Sequence, residues 1–95
     1  MFKGVTSSGF EYEVSLRIKK DWRFVKALAK SESKDESEML WGTTRVVELL
    51  LGDQEEALQE HLAEEDGVVP TEKLMDTVRE ILNAIGTKNS SSSPE

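Results

Sequence analysis

The sequence predicts an α+β fold that is mainly α: an N-terminal β-hairpin, about four helices and a disordered C-terminal tail. Three observations predict it. Apolar and polar residues alternate strictly near the N-terminus, apolar residues then recur at helical spacing, and the chain ends in a Ser-rich segment. A chain of 95 residues has the length of one domain. We assign residues 1–86 to that domain and residues 87–95, which have no large apolar side chain to bury, to the tail.

The predicted strand is the alternating segment from Phe10 to Ile18. A period of two is typical of a strand with one buried face. Because a single strand is not stable alone, it needs a partner. We expect residues 1–5 to fold back onto it through the turn-forming residues 6–9, Thr-Ser-Ser-Gly. A strand from a second copy of the chain is the alternative partner.

Acidic residues predict where three of the helices begin. Asp21 has the position of an N-cap, and Asp35 with Glu38 resembles a capping box. Asp53 with Glu56 repeats that signature for a third helix. Each of these positions precedes apolar residues at helical spacing, which favours a helix over a loop.

Glycine and proline predict the remaining helix boundaries. Gly52 has the position of a C-terminal glycine stop, Asp66-Gly67 is expected to end the third helix, and Gly86 the fourth. Pro70, followed by a threonine, predicts the start of the fourth helix. The first helix is expected to end near Ser31, and residues 31–37 are interpreted as a polar connection to the second.

The apolar stripes of these helices predict a small core. Its expected members are Leu50, Leu58, Leu74, Val78 and Ile81. Trp22 and Trp41 are assigned to the core rather than to a ligand platform. Gly42 is unexpected inside a helix, where glycine costs about 1 kcal/mol relative to alanine. Either the helix is interrupted there, or another backbone packs closely against it.

Charge is distributed unevenly along the chain. Residues 1–30 contain seven Lys and Arg and three acidic residues, a net charge of +4. Because the whole chain has a net charge of −7, residues 31–95 have a net charge of −11. Nucleic-acid binding needs an extended basic surface. Because the only basic segment is short, we expect no nucleic-acid partner. The acidic remainder favours solubility and basic or mixed partners.

The densest acidic segment belongs to the third helix. Its carboxylates are interpreted as a solvated face, and the alternative is a partner-binding surface for which Glu56, Glu60 and Glu64 are the candidate residues. We call these three residues the acidic face. Metal binding or catalysis is the remaining alternative, but the ligand spacing of a calcium loop is absent. The single histidine, His61, is expected at the edge of the core, with a pH-sensitive contact as the alternative.

No pattern of catalytic residues is present in the sequence. One histidine cannot be assigned as the base of any serine, no glycine-rich phosphate loop occurs, and cysteine is absent. We therefore expect neither an enzyme nor a cofactor nor a metal. No apolar run approaches the roughly 20 residues of a membrane span. The sequence predicts a cytoplasmic protein without a membrane partner.

A series of short motifs built from core and turn residues covers roughly residues 9–85. They are Gly9-Phe10-Glu11-Tyr12-Glu13-Val14, Asp21-Trp22-Arg23-Phe24-Val25, Leu50-Leu51-Gly52-Asp53-Gln54, Leu58, His61-Leu62, Glu65-Asp66-Gly67-Val68-Val69-Pro70, Glu72-Lys73, Met75 and Ile81-Leu82. Together these motifs resemble the tail assembly chaperones of long-tailed phages and prophages of Gram-positive bacteria.

The resemblance implies a non-structural phage protein of the host cytoplasm that is absent from the finished virion. It implies binding to the tape measure protein, whose long apolar helices the chaperone keeps soluble. It also implies assistance to the tail-tube subunits, so the major tail protein is a second expected partner. Many such chaperones have a longer, frameshifted form, for which the Ser-rich tail would serve as a linker. A homo-oligomer is a further expectation, from the short chain and its strand edge.

The alternative from another class is a small regulatory protein, such as a repressor or an antitoxin. It needs a basic recognition helix, and the helix after Asp21, with Arg23, Lys26 and Lys30, is the only candidate. Its apolar residues are assigned to the core, which disfavours that role. A metal-dependent enzyme is the third alternative.

Overall fold

The computed structural model describes residues 1–87. Its elements are β1 (Phe2–Val5), β2 (Glu11–Val14), a 3-10 helix (Leu16–Lys20), α1 (Trp22–Ser31), α2 (Glu36–Leu51), α3 (Gln54–Leu62) and α4 (Thr71–Ala84). The predicted α+β class, with an N-terminal hairpin and four α-helices, is confirmed. The predicted disorder of residues 87–95 lies outside the described residues, except at Thr87, whose amide donates to the Leu82 carbonyl at 3.0 Å.

The hairpin forms as expected from residues 1–5 and the turn at residues 6–9. β1 and β2 are antiparallel, with Phe2 opposite Val14. In the turn, the Gly9 amide donates to the Thr6 carbonyl at 2.9 Å, and the Thr6 amide donates to the Phe10 carbonyl at 2.8 Å. Gly9 has a φ of 93°, a left-handed conformation that glycine adopts without strain.

The second strand is shorter than the alternating pattern predicts. It ends at Val14, and the following residues form the 3-10 helix instead. β1 begins at Phe2, the partner of Val14, so later residues have no ladder to join. The Ser15 hydroxyl accepts from the Arg17 amide at 3.3 Å, which starts the 3-10 turn. Leu16 is consequently 45% exposed, while Ile18 packs against the core.

Gly42 is a point of close approach between α1 and α2. A Cβ atom at this position would lie 2.7 Å from the Ala27 carbonyl oxygen and from the Lys30 carbonyl carbon, and in contact with the Ser31 amide. α2 is continuous through this residue. Of the two explanations offered for this glycine, close packing of another backbone is therefore correct.

The core lies between the hairpin and the four α-helices, α1 contributing Phe24 and Ala27. Leu50, Leu58, Val78 and Ile81 are buried as predicted, whereas Leu74 is only partly buried. The buried apolar residues are Phe10, Tyr12, Val14, Phe24, Ala27, Val46, Val47, Leu50, Leu51, Leu58, Val78, Ile81, Leu82 and Ile85. Within residues 1–87, no helix combines the length and apolar character that crossing a membrane requires.

Two of the three acidic caps are present. The Asp21 side chain accepts from the Arg23 amide at 2.8 Å, and that of Asp35 from the Glu38 amide at 3.1 Å. The prediction for Asp53 is wrong, because its side chain makes no capping bond and its backbone is already helical, with φ −63° and ψ −21°. The Gly52 carbonyl fills that role, accepting from the third-helix residue Glu55 at 3.1 Å.

The other predicted boundaries are correct except for the end of α3. Gly52 and Gly86 follow α2 and α4 with φ values of 54° and 84°. The third helix ends at Leu62, before the expected Asp66-Gly67 stop. Gly67 instead closes a separate turn, in which its amide donates to the Glu64 carbonyl at 2.8 Å.

Candidate functional site

The outer surface of α1 carries apolar side chains that the fold does not bury. Trp22 is 70% exposed and Val25 is 41% exposed, and Ala29 is also exposed. These residues lie at i, i+3 and i+7, so they form one line along the helix. We call them the α1 stripe. The assignment of Trp22 to the core is wrong because α1 turns a different side, with Phe24 and Ala27, toward the core.

Basic residues lie close to the α1 stripe in the sequence. Lys20 and Lys26 are exposed, and neither has a carboxylate within ion-pair distance among residues 1–87. Arg23 is different, because its guanidinium bonds both carboxylate oxygens of Asp21, at 3.1 and 2.7 Å. Lys19 donates to the Ile85 carbonyl at 3.0 Å. The stripe is therefore an apolar line whose unneutralised neighbours are cationic.

The Asp21–Arg23 pair makes this region sensitive to acid. The Arg23 side chain, followed by the Arg23 backbone amide, lowers the pKa of Asp21 from 3.8 to about 2. A carboxyl whose pKa is lower in the folded state stabilises the fold above its ordinary pKa. That contribution is lost as the pH falls through the folded value. The cap of α1 should therefore weaken between about pH 4 and pH 2.

A carbon-detected NMR titration is expected to place the midpoint of the Asp21 carboxyl at about 2. Arg23→Ala removes the main cause and should raise that midpoint toward 3.8. Lys26→Ala, on the same helix but outside the pair, is the matched control and should leave the midpoint unchanged. A wild-type midpoint near 3.8 would contradict the pairing.

A second uncovered apolar surface lies on α2. Leu40 is 50% exposed and Trp41 is 49% exposed, and we call this pair the α2 patch. The Lys30 ammonium lies 5.2 Å from the centre of the Trp41 ring, within cation–π range. Gly42, which faces α1, is the next residue after Trp41. Successive residues of a helix are rotated by about 100°, so the Trp41 side chain points away from the α1–α2 contact. Its assignment to the core is therefore also wrong.

Of the acidic face, Glu56 and Glu60 lie on α3, whereas Glu64 follows the end of that helix at Leu62, so its predicted place on the third helix is wrong. Glu56 and Glu60 are exposed and have no cation within ion-pair distance among the described residues, while Glu64 lies 3.8 Å from Lys73. Near Glu56, a shallow hollow is lined by Gly52, Asp53, Glu55, Glu56 and Gln59. Across residues 1–87, no group of three or more potential ligands is arranged to hold a metal ion.

Side chains of α3 hold the hairpin in place. His61 Nε2 lies 3.0 Å from the Ser8 carbonyl oxygen, and its ring centre is 5.7 Å from that of Phe10. This is the core-edge position expected for His61. Gln54 bonds both backbone groups of Glu13: its Oε1 accepts from the amide at 2.8 Å, and its Nε2 donates to the carbonyl at 2.7 Å.

A carboxylate of α4 fixes the turn of the hairpin. Glu80 accepts from the Ser7 amide at 2.7 Å and from the Ser7 hydroxyl at 3.1 Å. Burial, and then the Glu80 charge, raise the pKa of Tyr12 above 10.0. The Tyr12 phenol is therefore neutral at physiological pH. The contacts of Glu80 with Ser7 therefore position the turn of the hairpin relative to α4.

The chain was compared with family models, with curated proteins and with solved structures. None of the three comparisons found a match.

Proposed function

We propose that this protein is a non-catalytic tail assembly chaperone that binds a phage tape measure protein in the host cytoplasm and is absent from the finished virion. The observation that carries the proposal is the α2 patch, Leu40 and Trp41, which the fold leaves half exposed. The sequence motifs that resemble this family are the second support.

The tape measure is a long helical chain with apolar seams, so it needs a cover before the tube forms. A half-exposed indole and leucine form a modest apolar surface. Burying it against the partner contributes roughly 25 cal/mol of binding free energy per Å². One small chaperone therefore covers little of the partner. Many copies along the tape measure would cover it, with the major tail protein replacing them as the tube assembles.

The acidic face has one of two roles in this proposal. It stays outward and keeps the complex soluble, or it meets basic segments of the partner. Glu56 and Glu60 are free for either role, because no cation of the described residues neutralises them.

Co-expression with a tape measure protein tests the proposal. The tape measure should be soluble with this protein and insoluble alone, in a complex with several copies of this chain. Leu40→Ser with Trp41→Ser should abolish the rescue, because both side chains are exposed and their loss leaves the core intact. Val68→Ser, another exposed apolar position, is the matched control. A tape measure that remains insoluble with the wild-type protein would refute the chaperone role.

Charge reversal at Glu56, Glu60 and Glu64 separates the two roles of the acidic face. Lost rescue with an unchanged circular dichroism spectrum would make it a contact surface. Unchanged rescue would make it a solvated face.

A small regulatory protein remains the alternative, because exposed Lys20 and Lys26 give α1 a basic outer surface. A salt titration with duplex DNA distinguishes the two. A repressor shows a steep loss of affinity with salt, whereas the chaperone should not bind.

A further inference from the structure

We propose that copies of this chain associate head to tail, with the α1 stripe of one copy on the acidic face of the next. The two surfaces have opposite charge and lie on different elements of one molecule. This inference is independent of the chaperone role, because it concerns the isolated protein alone.

The first argument is the cost of leaving the α1 stripe in water. Trp22 is 70% exposed, more than any other aromatic side chain among the described residues, and Val25 extends the apolar line. Large aromatic side chains that project from a surface are characteristic of protein contacts, where they supply most of the binding energy. No other part of the described fold buries the stripe, since α1 packs against α2 and the 3-10 helix through other residues.

The second argument is charge complementarity. The cations beside the stripe, Lys20 and Lys26, have no carboxylate partner within residues 1–87, and Glu56 and Glu60 have no cation there. Both sets of charges are exposed, so each is available to a second molecule. An apolar line with unpaired lysines near it favours an acidic surface over a basic one, because unlike charges attract and like charges repel.

The third argument is the shape of the receiving surface. Ala57 is exposed on α3, next to Glu56 and three residues before Glu60, so a small side chain belongs to the same helix as the two unpaired carboxylates. An indole can approach the helix closely there. The acidic hollow that Asp53 and Glu55 help to line also includes Glu56 of the acidic face, and its carboxylates suit a lysine ammonium.

The geometry of such a contact determines how the assembly grows. Each copy uses one surface to bind forward and a different one to bind backward, so the contact is heterologous and produces a ring or an open chain. The average molecular mass of the assembly should therefore increase with protein concentration. Because the contact is partly electrostatic, mass should decrease in about 1 M salt, where the Debye length is only about 3 Å.

Sedimentation velocity on the wild-type protein is the first test. We expect species larger than a monomer at micromolar concentrations in low salt, and a shift toward monomer in high salt. Trp22→Ser and, separately, Glu56→Lys with Glu60→Lys should each weaken association at least roughly tenfold. Val68→Ser is the matched control and should associate like the wild type. Circular dichroism checks that each variant is folded.

Mixing the two defective variants gives the decisive result. The Trp22→Ser copy retains its acidic face, and the doubly reversed copy retains its α1 stripe. The mixture should form a dimer with one copy of each and grow no further, because the two remaining surfaces do not match. A wild-type protein that stays monomeric, variants that associate normally, or a mixture that forms no dimer would each overturn the proposal. Wild-type monomers that bind phosphatidylglycerol vesicles through Trp22 would overturn it too, by assigning the stripe to a membrane surface.

Discussion

Replacing Ile81 with alanine is expected to lower the free energy of unfolding by about 2–5 kcal/mol. Ile81 is 0% exposed and belongs to the buried cluster that joins α4 to the rest of the core. Truncation removes apolar contacts and leaves a cavity that a close-packed interior fills only partly. Urea denaturation followed by circular dichroism at 222 nm measures the effect.

Asn83→Ala is the matched control for Ile81, because it lies on the same helix and is exposed. Its free energy of unfolding should stay within about 0.5 kcal/mol of the wild type. If Ile81→Ala were as stable as the wild type, α4 would not be docked on the core as described.

Replacing Gly42 with alanine should destabilise the protein by about 1–3 kcal/mol. In an ordinary helix the same change stabilises the fold by about 1 kcal/mol. The expected change in stability here therefore has the opposite sign to the helix propensities of the two residues. The reason is that the new Cβ would meet backbone atoms of Ala27, Lys30 and Ser31, which cannot turn aside as a side chain can. α1 must therefore move away from α2. Thermal unfolding monitored by circular dichroism detects the loss.

Thr44→Ala tests whether helix preference alone explains the result, since Thr44 is exposed on the same helix two residues later. It should be neutral or slightly stabilising. A Gly42→Ala protein that melts above the wild type would disprove the close approach of the two helices.

The sequence predicts most of the fold because its signals are local. Asp21 and Asp35 cap helices through bonds to residues two or three positions away. Gly52 and Gly86 end helices through their own positive φ. Such features depend on neighbours in the chain, so they are readable without knowledge of the tertiary structure.

The end of β2 is not local in this sense. Leu16 and Ile18 continue the alternation of the strand, but a strand extends only as far as its partner. The partner here begins at Phe2, opposite Val14. The Ser15 hydroxyl then offers the backbone a turn, and the 3-10 helix replaces the last third of the predicted strand.

The orientation of α1 also exceeds what periodicity can determine. The helix has two apolar lines, one with Trp22 and Val25 and the other with Phe24 and Ala27, and either could face the core. Size favours the tryptophan, and that choice is wrong. Gly42 was the available signal, because a glycine inside a helix indicates that another backbone packs closely there, and that backbone is the part of α1 that includes Ala27 and Lys30.

Of the candidate surfaces, one could be predicted from the sequence and two could not. The acidic face was predictable, because carboxylates on a polar helix are exposed in almost any packing. The α1 stripe and the α2 patch were missed, because large apolar residues were assigned to the core by type. Only the packing of α1 on α2 shows that Trp22 and Trp41 are left outside it.

The bond pair between Gln54 and Glu13 has a consequence for misassembly. Since both backbone groups of Glu13 face Gln54, its ladder partner Lys3 must also direct its amide and carbonyl away from the hairpin. Amyloid-like stacking needs a strand that can pair on both sides. Here an amide side chain of α3 occupies one side, so a folded copy can accept a single added strand. Growth by strand pairing would therefore end at two copies, and continuous fibrils would require α3 to detach first.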